Sequence, residues 1–193
     1  MGRAGRGAQT ASMSETVPHD PPSPFVEEWV RRLSTTAGGG QRGRALDVAM
    51  GRGRHVPLLA RAGWDVFGVD RDVEAVRDAV RRARDSGLLV RAWCADLTRG
   101  SLPRDRFGLI VVTRYLQRDL FPALRDALTP GGVLIYETFT VAQRTHGRGP
   151  TSPDHLLAAG ELRERLVGFD VRFYEEIATP DAYARCCARK SAG

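Results

Sequence analysis

Residues 45–53 read Ala-Leu-Asp-Val-Ala-Met-Gly-Arg-Gly, and Gly68-Val69-Asp70 follows. An apolar strand carrying Asp47 runs directly into a turn whose glycines, Gly51 and Gly53, open an amphipathic segment. A second strand, Trp64 to Val69, ends at another acid, Asp70. Strand, glycine turn, helix, strand and acid in this order make half of a doubly wound α/β fold.

The rest of the chain keeps the same alternation. Residues 1–22 are rich in Gly, Arg, Ser, Thr and Pro without hydrophobic period and are expected to be disordered, with Met13 as an alternative start. Ser23-Pro24 supplies a helix cap and first-turn proline, and Phe25, Val26, Trp29, Val30 and Leu33 recur behind it at helical spacing. That helix should stop in the flexible Ala37–Gly40 stretch. Strands are expected at 45–49, 64–69, 88–94, 107–112, 133–138, 170–177 and 182–188. Helices are expected at 54–62, 72–85 with Val73, Val76 and Val80 inward, 118–128 and 161–166. Pro130-Gly131-Gly132 should turn the chain into the fifth strand, and residues 140–155 form a polar loop. The expected fold is α/β, a doubly wound and mainly parallel seven-stranded sheet with right-handed crossovers. The short link between the last two strands makes them antiparallel. Residues 23–190 should form one domain.

Composition narrows the setting. The 193 residues and 42% apolar content suit a single core. No apolar run approaches the roughly 18–20 residues of a membrane helix, and no apolar stretch backs the charged start as a secretory signal would. Three cysteines (Cys94 and the adjacent Cys186 and Cys187) lack metal-ligand spacing, pointing to a reducing, cytoplasmic environment without a bound metal. The net charge of +6 is carried almost wholly by arginine and is interleaved with acids, as at Arg77-Asp78 and Arg125-Asp126. This describes a solvated mixed surface better than a nucleic-acid track.

The turn itself selects a ligand. Backbone amides at a helix start attract negative charge, but Asp47 precedes Gly51 and no third glycine occupies the place usual in dinucleotide-binding turns. A carboxylate repels a diphosphate and attracts a cationic amine or sulfonium. The expected ligand is therefore cationic and free of phosphate, with Asp70 accepting from two ribose hydroxyls. S-adenosyl-L-methionine meets both demands.

The stretch Leu46 to His55 resembles the first motif of class I S-adenosylmethionine-dependent methyltransferases, nearest the tellurite-resistance-type small-molecule branch. Gly68-Val69-Asp70 resembles the ribose-binding motif, Cys94-Ala95-Asp96-Leu97 the adenine-binding one, and Leu128 to Gly132 the turn before the fifth strand. The resemblance covers roughly residues 24–190. It implies cofactor contacts from Asp47, Ala49, Met50, Gly51, Gly53, Asp70, Arg71, Asp96, Leu97 and Thr113. In related enzymes a helix before the first strand closes over the cofactor, and Phe25 and Trp29 would give apolar cover. Ala49 stands where a glycine is usual, and alanine is tolerated there if the backbone needs no positive φ. Met50 replaces a smaller residue and would pack against the ligand or fill the core.

Acceptor contacts should come from the ends of the fourth and fifth strands. Arg114 would hold an anionic acceptor or pair with Glu137. Tyr115 would wall the methyl pocket or face the core, and Glu137 would act as base or orienting acceptor. Arg148 would join Arg114 on a basic rim, and His146 is a loop histidine of suitable pKa or simply solvated. His55 is expected to stabilise the helix entry. The reading is methyl transfer to a small acceptor by a monomer or homodimer. An RNA or protein acceptor, or a silent cofactor-binding module, stands as the alternative.

Overall fold

The computed structural model describes residues 20–36 and 42–191. The expected tail over 1–22 and the 37–40 linker therefore lie largely outside the described residues. Among the described residues the structure has five α-helices, α1 (Pro24–Thr36), α2 (Val56–Arg61), α3 (Val73–Asp85), α4 (Phe121–Ala127) and α5 (Glu161–Glu164), and seven strands. These are β1 (Arg44–Val48), β2 (Asp65–Asp70), β3 (Val90–Cys94), β4 (Phe107–Thr113), β5 (Leu128–Phe139), β6 (Phe169–Ile177) and β7 (Tyr183–Lys190). One sheet has the order β3-β2-β1-β4-β5-β7-β6. The first five strands are mutually parallel, and β7 runs antiparallel between β5 and β6. The strand order reverses between β1 and β4, where an open α/β sheet leaves a crevice at the carboxyl ends of its strands.

Each sheet face buries its own core. On one, Phe25, Val26 and Val30 of α1, Val56 and Leu59 of α2, and Ala79 and Ala83 of α3 pack on Ala45, Val66, Leu109, Val111 and Ile135. On the other, Phe121, Leu124, Leu162 and Leu166 cover Ile110, Val112, Leu134 and Tyr136. The near-continuous apolar run of β4 follows from this two-sided burial.

Several local expectations need correction. Val73 and Val80 of α3 are exposed, and the inward face is Ala75, Val76, Ala79 and Ala83. The helical period through Val76, Ala79 and Ala83 sets that face, and it leaves Val73 and Val80 on its flanks. Asp72 does cap this helix, accepting from the Glu74 and Ala75 amides. The expected 118–128 helix opens as a 3-10 turn at Arg118–Leu120 before α4, and ends a residue earlier because Leu128 already pairs with Phe107. The Pro-Gly-Gly turn is absorbed into β5 as an irregularity where Val133 pairs with Leu109. β3 starts at Val90 rather than Leu88.

Two interactions brace this frame around its switch point. Gly68 of β2 lies under Met50, and a Cβ there would sit 2.0 Å from the sulfur. Beyond β5, Glu161 accepts from Arg118 at 2.7 and 3.0 Å, from Arg165 at 2.7 Å and from the Ala158 amide at 3.0 Å. Arg118 also donates to the Leu156 carbonyl, tying the 140–160 segment to α4.

Gly68→Ala should cost about 1–3 kcal/mol by overpacking. Because the clash is with one side chain, combining it with Met50→Ala should cost less than the sum of the two single changes in a urea double-mutant cycle. The Arg118 hydrogen bonds pull Glu161 down to about 2 from its ordinary value. A depressed carboxylate stabilises the fold above its unfolded pKa, so this contribution should disappear as pH falls from about 4.5 toward 2. Glu161→Gln should flatten that limb of the stability-pH curve.

Candidate active site

Ala49 follows β1 and Arg114 follows β4, one on each side of the switch point. Both hold left-handed backbone, φ 53° and φ 55°. The condition for an unstrained alanine is not met at Ala49: the turn has positive φ there, and alanine occupies it at a cost of roughly 1–2 kcal/mol. Strain of this kind persists only where surrounding structure holds it. Here the Met50 amide donates to Val69 O (3.1 Å), the Gly51 amide to Asp70 Oδ2 (2.8 Å) and the Arg114 amide to Glu137 O (2.9 Å).

A crevice with two lobes opens between these residues, and Ala49 and Arg114 line both. The larger lobe, about 400 Å³, takes in Asp70, Arg71, Asp96, Leu97 and Tyr115, then Phe139, Pro150 and His155. The smaller, about 300 Å³, is bordered by Met50, Gly51, Arg52, Arg54, Thr113 and Asp20. Most of the expected cofactor residues are thus brought together.

Two of them are not at the crevice wall. Gly53 (φ 76°) packs the turn on α3, where a Cβ would meet Ala79 at 3.0 Å. Asp47 is 1% exposed and lines neither lobe. Its two oxygens have no hydrogen-bond partner, with His55 Nδ1 3.5 Å from Oδ2. Its charge nevertheless reaches the smaller lobe through the field on Arg54. Met50 is 4% exposed, so its side chain fills the core and only its neighbourhood of the turn borders the lobe.

Beneath the crevice lies a buried polar group of four. The Ser23 amide donates to His55 Nε2 at 3.2 Å, and Ser23 Oγ donates to Glu137 Oε1 at 2.6 Å. Because Nε2 accepts, Nδ1 carries the imidazole proton and faces Asp47. Glu137 also has Arg185 at 3.7 Å. Glu137 thus orients Ser23, and His55 sits at the start of α2 as expected. Together they fasten the beginning of α1 beside the turn, with Phe25 and Trp29 packed against Phe173 rather than over the crevice.

The wall around Arg114 combines that guanidinium with aromatic rings. The Arg114 guanidinium donates to Asp20 at 3.0 Å, so its side-chain partner is not Glu137. Burial pulls the Arg114 pKa down, but Tyr183 and Asp20 more than offset it and leave the group above its ordinary value. Arg54 goes the other way, lowered by burial and by the Arg114 charge, and it donates to Thr113 Oγ1 at 3.0 Å. Phe139 stacks with Tyr183 at 4.7 Å between ring centroids. Tyr115 donates to Gln117 at 2.6 Å and is raised by burial and by Asp96. Asp96 accepts from both the amide and hydroxyl of Thr98, which lower its pKa. Asp70 binds the Gly51 and Asp72 amides yet keeps lone pairs for further donors.

Arg148 does not reach this rim. It is bound to Asp181 and to the Pro180 carbonyl. His146 does not line the crevice, whereas His155 does. His155 comes from a short 3-10 turn, Pro153–His155, started by Ser152. The same Ser-Pro signature that marks α1 at Ser23 stood in the sequence here, unread within a loop.

The crevice residues fit S-adenosylmethionine. The buried carboxylate of Asp47 disfavours phosphate beside the turn, Asp70 offers acceptors to a ribose, and Asp96 and Leu97 face the adjoining space. Residues 45–132 match the methyltransferase domain family. A comparison with curated protein sequences finds no match. Among solved structures, an S-adenosylmethionine-dependent methyltransferase from Mesorhizobium loti is 21% identical with a TM-score of 0.64, covering 84% of this chain and 97% of its own. A methyltransferase from Clostridium acetobutylicum is 14% identical with a TM-score of 0.71, covering 90% and 94%. TehB from Haemophilus influenzae is 17% identical with a TM-score of 0.68, covering 85% of this chain and 62% of its own. The chain has the class I methyltransferase fold, and its residues 45–132 are similar to the methyltransferase domain family.

Ala49→Gly should relieve the left-handed strain and raise stability by up to about 1 kcal/mol, after the greater freedom of glycine in the unfolded chain is discounted. Urea denaturation checks it; a loss of stability would show the turn unstrained at this position.

Proposed function

We propose that the protein transfers a methyl group from S-adenosylmethionine to a small anionic acceptor. The observation that carries this reading is the placement of Arg114, shared by a lobe bearing Asp70 and Asp96 and by the arginine-rich lobe beside the glycine turn. Asp70 would hold the ribose hydroxyls, Asp96 and Leu97 the adenine, and Arg54 with Thr113 the amino-acid end. The cofactor supplies a methyl carbon already activated by its sulfonium. What remains for the chain is alignment and exclusion of water.

Arg114 would pair with the acceptor's negative group after exchange with Asp20, and Phe139 and Tyr115 would confine its apolar body. The volume of the larger lobe is that of a small-ligand site. Glu137 is already committed to Ser23 and is kept from the acceptor, so it acts as a positioning residue. His155 is the imidazole nearest the acceptor side and would take a proton from an acceptor that arrives protonated.

Screening small carboxylic and phenolic acceptors for release of S-adenosylhomocysteine tests the reaction. Asp70→Ala should weaken S-adenosylhomocysteine binding by tenfold or more, about 1.4 kcal/mol, read as loss of its thermal stabilisation. Arg114→Ala should lower kcat/KM for an anionic acceptor at least as much while shifting cofactor affinity less. A wild-type protein with no thermal response to S-adenosylmethionine or S-adenosylhomocysteine would defeat the proposal.

A further inference from the structure

The connection from β3 to β4, residues 95–106, contains no helix. In a parallel sheet the crossovers ordinarily cover both faces. The α1–α3 face obeys this rule. On the opposite face, α4 packs on β5 and Arg163 of α5 lies over Tyr174 of β6, while the connection from β3 to β4 is a loop alone. A groove of about 510 Å³ remains there, reaching Arg44 and Phe107 at the opening residues of β1 and β4. It lies at the opposite end of those strands from the crevice.

The lining has a consistent chemistry. Phe67 and Trp93 are half-buried along one side, and Phe107 closes the bottom edge-on to Phe67 at 5.8 Å. Three exposed arginines, Arg44, Arg91 and Arg106, border it, and no carboxylate lines it. Arg44 and Arg91 lie over the Phe67 ring, 5.7 and 5.5 Å from its centroid. A guanidinium laid on a ring keeps its N–H edges available in its own plane. Asp65 at the margin pairs with Arg91, so part of that one charge is compensated. Half-buried aromatic faces within a cationic border match a flat ring carrying negative charge.

We propose that this groove is a second ligand site, distinct from the methyl-transfer crevice, and that it takes a nucleoside monophosphate. The base would lie against Trp93, and the phosphate would engage Arg44 and Arg106. A phosphate dianion suits more than one guanidinium, each able to present paired donors. The groove volume falls within the range of small-ligand sites. The assignment is independent of the methyl acceptor.

The probe is guanosine monophosphate, chosen because it lacks the adenine expected in the crevice. Titrated calorimetrically into the full chain, it should bind below millimolar concentration and quench tryptophan fluorescence. Guanosine and inorganic phosphate should each bind at least tenfold more weakly. Arg44→Ala/Arg106→Ala should reduce affinity at least tenfold, and Asp70→Ala should leave it unchanged. Both arginines are exposed, so the double variant keeps its core. Trp93→Phe should retain binding and lose most of the quenching. Binding that survives the arginine double variant, that is lost in Asp70→Ala, or that is matched by phosphate alone would overturn the proposal.

Discussion

The structure turns on a buried polar contact among residues far apart in the chain. Ser23 meets Glu137 and His55, and His55 faces Asp47. All four are almost completely buried. Each brings an element: Ser23 the start of α1, Asp47 the middle of β1, His55 the entry to α2, and Glu137 the end of β5. Buried polar groups in low dielectric are costly when unmatched, so their partners must arrive together. That demand fixes where α1 begins on the sheet. It also sets the glycine turn against the end of β5 and gives the crevice its shape. Asp47 is the incomplete member, with two oxygens unpartnered. A chain free to choose would avoid this arrangement in a merely structural core, which agrees with a turn shaped around a ligand.

The large features were legible from short-range rules. Period, glycine turns and strand-end acids located the alternating elements, because a parallel sheet buried on both sides leaves runs such as Phe107–Val112. Asp70 and Thr113 end β2 and β4 and Asp96 follows β3, so their places at the carboxyl edge of the sheet, together with the family resemblance, were enough to expect them beside the crevice that they line. What escaped was governed by distant packing. The hydrophobicity of Val73 and Val80 suggested an inward face, while the face that packs on the sheet runs through Ala75, Val76, Ala79 and Ala83. Arg148 looked like part of the basic rim, but Asp181, far along the chain, holds it elsewhere. His155 lay in a segment without regular period, so nothing local aimed it at the crevice. Ala49 shows a different limit: composition gives no sign of a left-handed alanine, because the hydrogen bonds that hold it come from other strands.

The two strained positions share a cause. At the switch point the chain must leave β1 and β4 in opposite directions, and each departure requires one residue of unusual backbone. Glycine would be the cheap solution. Alanine and arginine stand there instead, and arginine brings a cation that glycine lacks. The groove on the far edge arises from a contrasting economy, in which a shortened connection leaves aromatic side chains without the helix that would cover them.

Arg114 belongs to both lobes, and this has a thermodynamic consequence. Any ligand that engages its guanidinium in one lobe must change the free energy of the other. By linkage, the factor by which bound cofactor alters acceptor affinity equals the factor by which acceptor alters cofactor affinity. On the proposed reading the acceptor exchanges with Asp20 for Arg114, and the cost of releasing that contact is part of its own binding free energy. The two halves of the crevice share one side chain, and any coupling between ligands held in them would run through it.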